Sequence, residues 1–243
     1  VLGIPAGCKI HSGVYAVTPK AAGRVVEMMV TNQLVTLTDA DVMDIDESLF
    51  REGVVKAKRY GEMQIPCELR YVQAVKSGGK ESDELVLQDI AADVINKMED
   101  ELFVIGSGST TAFLMEEIGL DNTLLGVDLV QDQALVSSDV IESDIWQHIS
   151  ENEENGVKLV ITLIGGQGHI FGRGNQQLSP RVIRAIGKEN IIIIATKSKL
   201  AGLNNKPLIA DTGDEALDQE LSGFMTITTG YNDQVLYPVA SPE

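Results

Sequence analysis

The sequence predicts an α/β protein: a mostly parallel sheet flanked by helices, with a smaller β-rich N-terminal unit and a C-terminal β-hairpin. Three observations support this fold class. From about Asp83 onward, short apolar runs alternate with segments whose apolar residues have helical spacing. The first eighty residues instead hold short segments that partly alternate between apolar and polar side chains. Near the end, Phe224–Thr229 and Gln234–Val239 flank a turn around Gly230, which is typical of a hairpin.

The N-terminal unit is predicted to span residues 1–80, as a remnant junction to a nucleotide domain outside this sequence. Its helix has a proline at the first position, and its strands are short, while a glycine-rich stretch at the end reads as a linker. The helix is Pro19–Val30, the strands are Val1–Ile4, Asp41–Asp44, Val54–Tyr60, Glu62–Cys67 and Tyr71–Val75, and the linker is Ser77–Lys80.

The second domain is predicted to span residues 81–243. Its strands are apolar runs of the kind that is buried on both faces of a parallel sheet. Its helices repeat apolar residues every three or four positions, and one of them has Ser179 as N-cap before Pro180. The predicted strands are Leu102–Ile105, Thr123–Val130, Lys158–Ile164 and Asn190–Ala195, and the predicted helices are Glu84–Met98, Thr111–Ile118, Ile141–Ile149, Pro180–Ile186 and Asp214–Leu221.

Two glycine-rich loops follow predicted strands at their carboxyl ends, where open α/β sheets bind ligands. Glycine lets main-chain N–H groups approach an anion closely, and hydroxyl side chains add donors. The first loop, Gly106–Thr111, lacks the lysine of a P-loop, and Thr111 stands at the place of the third glycine of the dinucleotide fingerprint. We therefore predict phosphate binding by two sets of residues: Gly106, Ser107, Gly108, Ser109 and Thr110 in the first loop, and Gly165, Gly166, Gly168, Gly172, Arg173, Gly174 and Asn175 in the second.

The net charge of −17 argues against nucleic acid and anionic membranes as partners. It also means that a bound phosphate needs a cation, because no Lys or Arg lies between Lys97 and Lys158. Arg173 is one candidate for that cation. Mg²⁺ held by Asp128 or Asp132 is another, because Mg²⁺ is usually bound by one or two carboxylates plus phosphate oxygens. Asp128 is also the candidate for a catalytic carboxylate, although a strand-end aspartate can equally cap a loop.

Location and assembly are predicted from coarser signals. The two cysteines have no metal-binding spacing, which indicates a reducing cytoplasm rather than a disulfide framework. No apolar run approaches the ~20 residues that span a bilayer. The exposed edge of the first predicted strand favours pairing, so we expect a homo-oligomer.

The opening segment Leu2–Gly13, the run Ile164–Ser179 and the later Asp211–Asp214 together resemble the ATP-NAD kinase family, including its acetoin-cluster relatives. The resemblance covers most of the chain. It implies transfer of a phosphoryl group from ATP, or polyphosphate in some members, to the ribose 2′-hydroxyl of NAD. It also implies that the opening turn, with Gly7, Lys9 and His11, contacts the nucleotide, and that Lys9 is a further cation for the phosphate.

One family segment has no match here. The Gly-Gly-Asp-Gly segment, whose aspartate acts as the base, is absent from these 243 residues. We therefore expect these residues to keep part of the nucleotide site and to have negligible kinase activity alone. Two alternatives remain: a sugar-phosphate isomerase or sensor-type domain, because Gly106–Thr111 is also similar to the phosphate loop of ribose-5-phosphate isomerase, and a non-catalytic subunit.

Overall fold

The computed structural model describes most of the chain in two compact units. The units are Val1–Lys80 with Pro242–Glu243, and Glu81–Ser241, and each is considered by itself. The described residues are 1–7, 12–31, 36–45, 57–67, 84–152 and 154–242. The predicted strand Tyr71–Val75, the linker Ser77–Lys80 and residues 54–56 of the predicted strand Val54–Tyr60 lie outside them.

The first unit contains one helix and one strand pair among its described residues. Helix α1 is Pro19–Val30, as predicted, and its N-cap Thr18 accepts a hydrogen bond from the Ala21 amide at 2.9 Å. Strand β1, Thr36–Ile45, pairs antiparallel with β2, Ala57–Cys67. The strands predicted at Asp41–Asp44 and Glu62–Cys67 lie inside this pair.

The predicted strand at Val1–Ile4 is wrong. Among the described residues, Gly3 alone in this segment makes a β-type contact, an isolated parallel bridge to Tyr15. The Gly3 amide donates to the Val14 carbonyl at 2.7 Å, and the Gly3 carbonyl accepts from the Ala16 amide at 2.9 Å. These few bonds fasten the segment without a ladder, so the edge that favoured pairing with a second copy is not present in this form.

The second unit alternates strands and helices along most of its length. Its helices are α2 Glu84–Ile95, α3 Ser109–Ile118, α4 Glu142–Glu151, α5 Pro180–Ile186, α6 Lys197–Ala201 and α7 Glu215–Leu221. Its strands are β3 Leu102–Ile105, β4 Asp128–Gln131, β5 Ala134–Ser137, β6 Val157–Thr162, β7 His169–Phe171, β8 Ile191–Ile194, β9 Leu208–Ala210, β10 Gly223–Gly230 and β11 Asp233–Ala240.

In the described part of this unit the strands form one nine-stranded sheet in the order β5-β4-β3-β6-β8-β10-β11-β9-β7. Strands β3, β6, β8 and β10 are parallel neighbours, and β11, β9 and β7 are parallel in turn. The fold is therefore α/β with a mostly parallel sheet and a C-terminal strand pair, as predicted. Because β3, β6, β8 and β10 all end on the same side, their carboxyl ends form one edge, which we call the ligand edge.

Both faces of the sheet are largely buried at β3, β6 and β8, which explains why these strands are continuous apolar runs in the sequence. Along β3, Phe103 and Ile105 pack with α2 and α3 on one face, whereas Leu102 and Val104 belong to the larger core on the other. Among the described residues, no helix combines the length and apolar character needed to cross a membrane.

The predicted strand Thr123–Val130 differs from the structure in extent and direction. Strand β4 begins only at Asp128 and runs antiparallel to β3, with Ile105 opposite Asp128. It turns at Asp132 and Gln133, both with positive φ, into β5. A hairpin thus replaces the expected crossover at this side of the sheet.

We predict that stability depends on the central strand β8. Ile193 is fully buried between β6 and β10, so Ile193→Ala should lower the free energy of unfolding by about 2–5 kcal/mol. Leu236→Ala is the matched control because Leu236 is 70% exposed, and its effect should stay within about 0.5 kcal/mol. Urea unfolding followed by circular dichroism measures both, and equal losses would contradict the assignment of the core.

Candidate functional site

The first glycine loop, Gly106–Thr111, packs against the carboxyl end of β6. The Gly106 amide donates to the Val160 carbonyl at 2.8 Å, and the Gly108 amide donates to the Leu124 carbonyl at 3.0 Å. Gly108 has φ +136°, and a Cβ there would lie 2.5 Å from Cγ2 of Thr162. Only glycine fits this corner, because a side chain would be both strained and blocked.

Helix α3 begins immediately after this loop, with Gly108 as its N-cap and no capping side chain among the described residues. The Thr111 hydroxyl donates to the Gly108 carbonyl at 2.9 Å, so it does not cap the amides. The amides of Thr110 and Thr111 lie in the first helical turn, where N–H groups have no acceptor within the helix. The start of α3 therefore offers donors and the positive end of the helix dipole to an anion.

Lys199 brings a cation to this loop. Its ammonium group donates to the hydroxyls of Thr110 at 3.0 Å and Thr162 at 3.2 Å. Its backbone is held by the N-cap Thr196, whose hydroxyl accepts from the Lys199 amide at 3.2 Å. A Cβ at Gly165 would lie 3.7 Å from Cε of Lys199, so the second glycine loop packs on the same side chain.

The sequence analysis did not name Lys199. The available signal was its position: two lysines, Lys197 and Lys199, follow the central predicted strand Asn190–Ala195 at the end where α/β sheets bind ligands. The structure thus brings Thr110 of the first glycine loop and Gly165 of the second together around a cation that comes from helix α6.

The two glycine loops meet directly. The Ser107 hydroxyl donates a long hydrogen bond of 3.4 Å to the Gly174 carbonyl.

In the turn between β6 and β7, which contains Gly165, Gly166 and Gly168, the Gly168 amide donates to the Ile164 carbonyl at 2.9 Å. The amides of Gly106, Gly108 and Gly168 are thus already committed to carbonyls. These glycines shape the loops, and an anion must use other donors.

A cluster of buried polar side chains begins in β7 and continues into the loop after it. His169 and Arg173 are each 2% exposed and Asn175 is 7% exposed. Within the described part of the chain, Nε, Nη1 and Nη2 of Arg173, both ring nitrogens of His169 and Oδ1 of Asn175 have no hydrogen-bond partner. The Asn175 amide group is held by donation from Nδ2 to the Ile170 carbonyl at 2.9 Å.

Burial lowers the pKa of Arg173 to about 10, while the nearby Asp211 carboxylate acts to raise it. Burial first, and the Arg173 charge second, lower the pKa of His169 to about 3. At neutral pH Arg173 is therefore charged and His169 is neutral. Gly172 is the glycine that permits the approach to Asp211: it has φ +81°, and a Cβ there would lie 1.8 Å from the Asp211 carbonyl oxygen.

Asp128 lies at the ligand edge but is used to fasten loops. Its two carboxylate oxygens accept from the amides of Thr123 at 2.6 Å and Asp139 at 2.9 Å. Asp132 is exposed just beyond the other end of β4. Asp128 and Asp132 are four residues apart along an extended strand, which corresponds to about 13 Å. One metal ion cannot be bound by both, and no group of three or more metal-ligating side chains occurs among the described residues.

The remaining predicted residues belong to the first unit. Gly7 is exposed there, and Lys9 and His11 lie outside the described residues. Their predicted contact with the nucleotide stays a prediction.

Comparison with known proteins adds one match. A family model described as ATP-NAD kinase C-terminal domain matches residues 98–239, which is more than half of the chain. Searches of curated proteins and of solved structures found no match. The matched residues contain both glycine loops, Lys199 and the buried cluster after β7. The chain therefore belongs to the ATP-NAD kinase C-terminal domain family.

Proposed function

We propose that this chain is the nucleotide-binding part of an NAD kinase-like phosphotransferase, which makes NADP from NAD with ATP or polyphosphate as donor. A phosphate group of the nucleotide would bind at the ligand edge, over the first turn of α3 and against Lys199. The observation that supports this placement most directly is the Lys199 ammonium group on the hydroxyls of Thr110 and Thr162.

The chemistry expected of these residues is positioning and charge stabilisation. The Thr110 and Thr111 amides would orient phosphate oxygens, and Lys199 would balance the negative charge that develops as a phosphoryl group moves to the ribose 2′-hydroxyl. A phosphate can also displace the threonine hydroxyls from Lys199, because the ammonium group then faces an opposite charge instead of a neutral hydroxyl. The family's catalytic base belongs to the Gly-Gly-Asp-Gly segment, which these 243 residues lack.

Mg²⁺ does not fit the described carboxylates at this edge. Asp128 uses both of its oxygens for main-chain amides, and Asp132 lies at the far end of β4. We therefore assign no step of the reaction to a metal held by these residues.

The sugar-phosphate isomerase alternative needs a carboxylate base near the first loop. Asp128 is the candidate carboxylate at this edge of the sheet, and both of its oxygens accept amide hydrogen bonds in a buried position. The phosphotransferase proposal is therefore preferred. A nucleotide partner, a homo-oligomer and a cytoplasmic location remain expectations that accompany it.

We predict that Lys199→Ala weakens ADP binding about 10- to 100-fold, because a hydrogen bond to a charged group contributes about 1.5–3 kcal/mol. Lys188→Ala is the matched control: it removes the same charge just before β8, at the opposite edge of the sheet. Isothermal titration calorimetry at low ionic strength measures both affinities, and circular dichroism checks that each variant is folded. Equal affinities in Lys199→Ala and the parent chain would rule out the proposed phosphate position.

We also predict that the 243-residue chain responds to nucleotides without turning them over. ATP or NAD should raise its melting temperature more than ribose 5-phosphate does, because the family's substrates are nucleotides. Incubation with ATP, NAD and Mg²⁺ should give no NADP above background, since the base is missing. Stabilisation by ribose 5-phosphate alone would favour the isomerase alternative, and NADP formation would show that the base lies within these residues.

A further inference from the structure

A cleft opens at the carboxyl end of β10, within the second unit. It has a volume of about 250 Å³, and its walls come from the first half of α2, the start of α6 and the turn between β10 and β11. Small-molecule sites usually measure about 300–1,000 Å³, so this cleft has room for part of a ligand, such as one sugar ring. Its polar side chains are those of Asp89, Lys197, Ser198, Thr229 and Asp233.

The turn that forms one wall of the cleft is fastened to α2. The Asp93 carboxylate, which is 2% exposed, accepts from the Asn232 amide at 2.9 Å and from the Lys97 ammonium group at 2.6 Å. Nδ2 of Asn96 also donates to the Tyr231 hydroxyl at 3.2 Å. Because these bonds hold the turn in place before a ligand arrives, binding needs little further ordering of the wall.

The charged groups of the cleft are two carboxylates and one ammonium group. Oδ2 of Asp233 accepts from the Lys197 ammonium group at 2.5 Å and from the Thr229 hydroxyl at 3.2 Å. Asp89 supplies the second carboxylate, which has no hydrogen-bond or ion-pair partner among the described residues. The formal charge of the cleft is therefore −1, which disfavours a phosphate and favours a neutral group that donates hydrogen bonds.

Sugar hydroxyls fit this set of groups. The two neighbouring hydroxyls of a ribose can each donate to a carboxylate, and their oxygens can accept from Lys197 or Ser198. An acidic side chain that accepts a hydrogen bond from a ribose hydroxyl is also a common arrangement in α/β folds that bind nucleotides.

The cleft lies within reach of a nucleotide whose phosphate binds at Lys199. The Lys199 ammonium group contacts Thr162 at the end of β6. Thr162 and Thr228 both lie opposite Ile194 of β8, on its two sides. Two strand spacings, ~10 Å, therefore separate the end of β6 from the end of β10, and a nucleoside diphosphate can extend over that distance.

We propose that this cleft binds the ribose of the nucleotide. Asp89 and Asp233 accept hydrogen bonds from the 2′- and 3′-hydroxyls, which makes Asp89 a residue that determines specificity for a sugar. The assignment of the sugar to a nucleotide rests on the proposed function.

The first test uses the unmodified chain, titrated calorimetrically with ADP and with 2′,3′-dideoxy-ADP. ADP should bind about 10-fold more tightly, because the dideoxy sugar has no hydroxyl to donate to the two carboxylates. Equal affinities would overturn the ribose assignment and leave the phosphate position at Lys199 standing. No binding of either nucleotide would overturn both proposals.

Variants then separate the cleft from the phosphate position, with ADP and pyrophosphate as ligands. Asp89→Ala should weaken ADP binding about 10-fold and leave the pyrophosphate affinity unchanged, because pyrophosphate has no sugar. Glu117→Ala is the matched control, since Glu117 is exposed near the end of α3 and its loss removes the same charge. Lys199→Ala should weaken the binding of both ligands.

Two results would overturn the ribose assignment alone. One is an Asp89→Ala chain that binds ADP as tightly as the Glu117→Ala control. The other is an equal loss of ADP and pyrophosphate affinity in Asp89→Ala, which would show a general distortion of the ligand edge. If Lys199→Ala binds both ligands normally while Asp89→Ala loses only ADP affinity, the phosphate position falls and the ribose site stands.

Discussion

The two hydrogen bonds from the Lys199 ammonium group hold the candidate site together. They join α6, which follows β8, to the first turn of α3 through Thr110 and to the end of β6 through Thr162. Three neighbouring parallel strands thus share one positive charge at the ligand edge. In a chain with net charge −17, a phosphate near α3 would otherwise depend on amides alone, because no Lys or Arg lies between Lys97 and Lys158. The sheet order supplies the cation that the local sequence lacks.

Elements with strong local signals could be predicted from the sequence. Helices α1 and α5 each have a capping hydroxyl followed by proline, and both match the predicted bounds. Strand β3 is a short apolar run that is buried on both faces. Strands β7 and β9 have three residues each, too few for a local pattern. They form because β7 pairs with β9 and β9 pairs with β11. Helix α6 has five residues, too few for a periodic pattern.

The candidate site likewise has features that the sequence reveals locally and features that depend on how the chain folds. The two glycine loops could be recognised because strand, glycine turn and helix follow one another along the chain. The role of Lys199 could not, since it depends on β3, β6 and β8 being neighbours. From the sequence, Asp128 can be either a carboxylate of the site or a cap for a loop. The structure shows the loop cap, which depends on the amide of Asp139, eleven residues away. Arg173 was expected to contact a ligand because it lies between glycines, but its burial depends on where β7 joins the sheet.

The central claim is that a nucleotide phosphate binds where Lys199 meets the start of α3. The most direct measurement is a crystal structure of the chain with ADP bound. The account predicts phosphate oxygens within hydrogen-bond distance of Nζ of Lys199 and of the Thr110 and Thr111 amides. Phosphates bound away from the ligand edge, with Lys199 still on its two threonines, would contradict it.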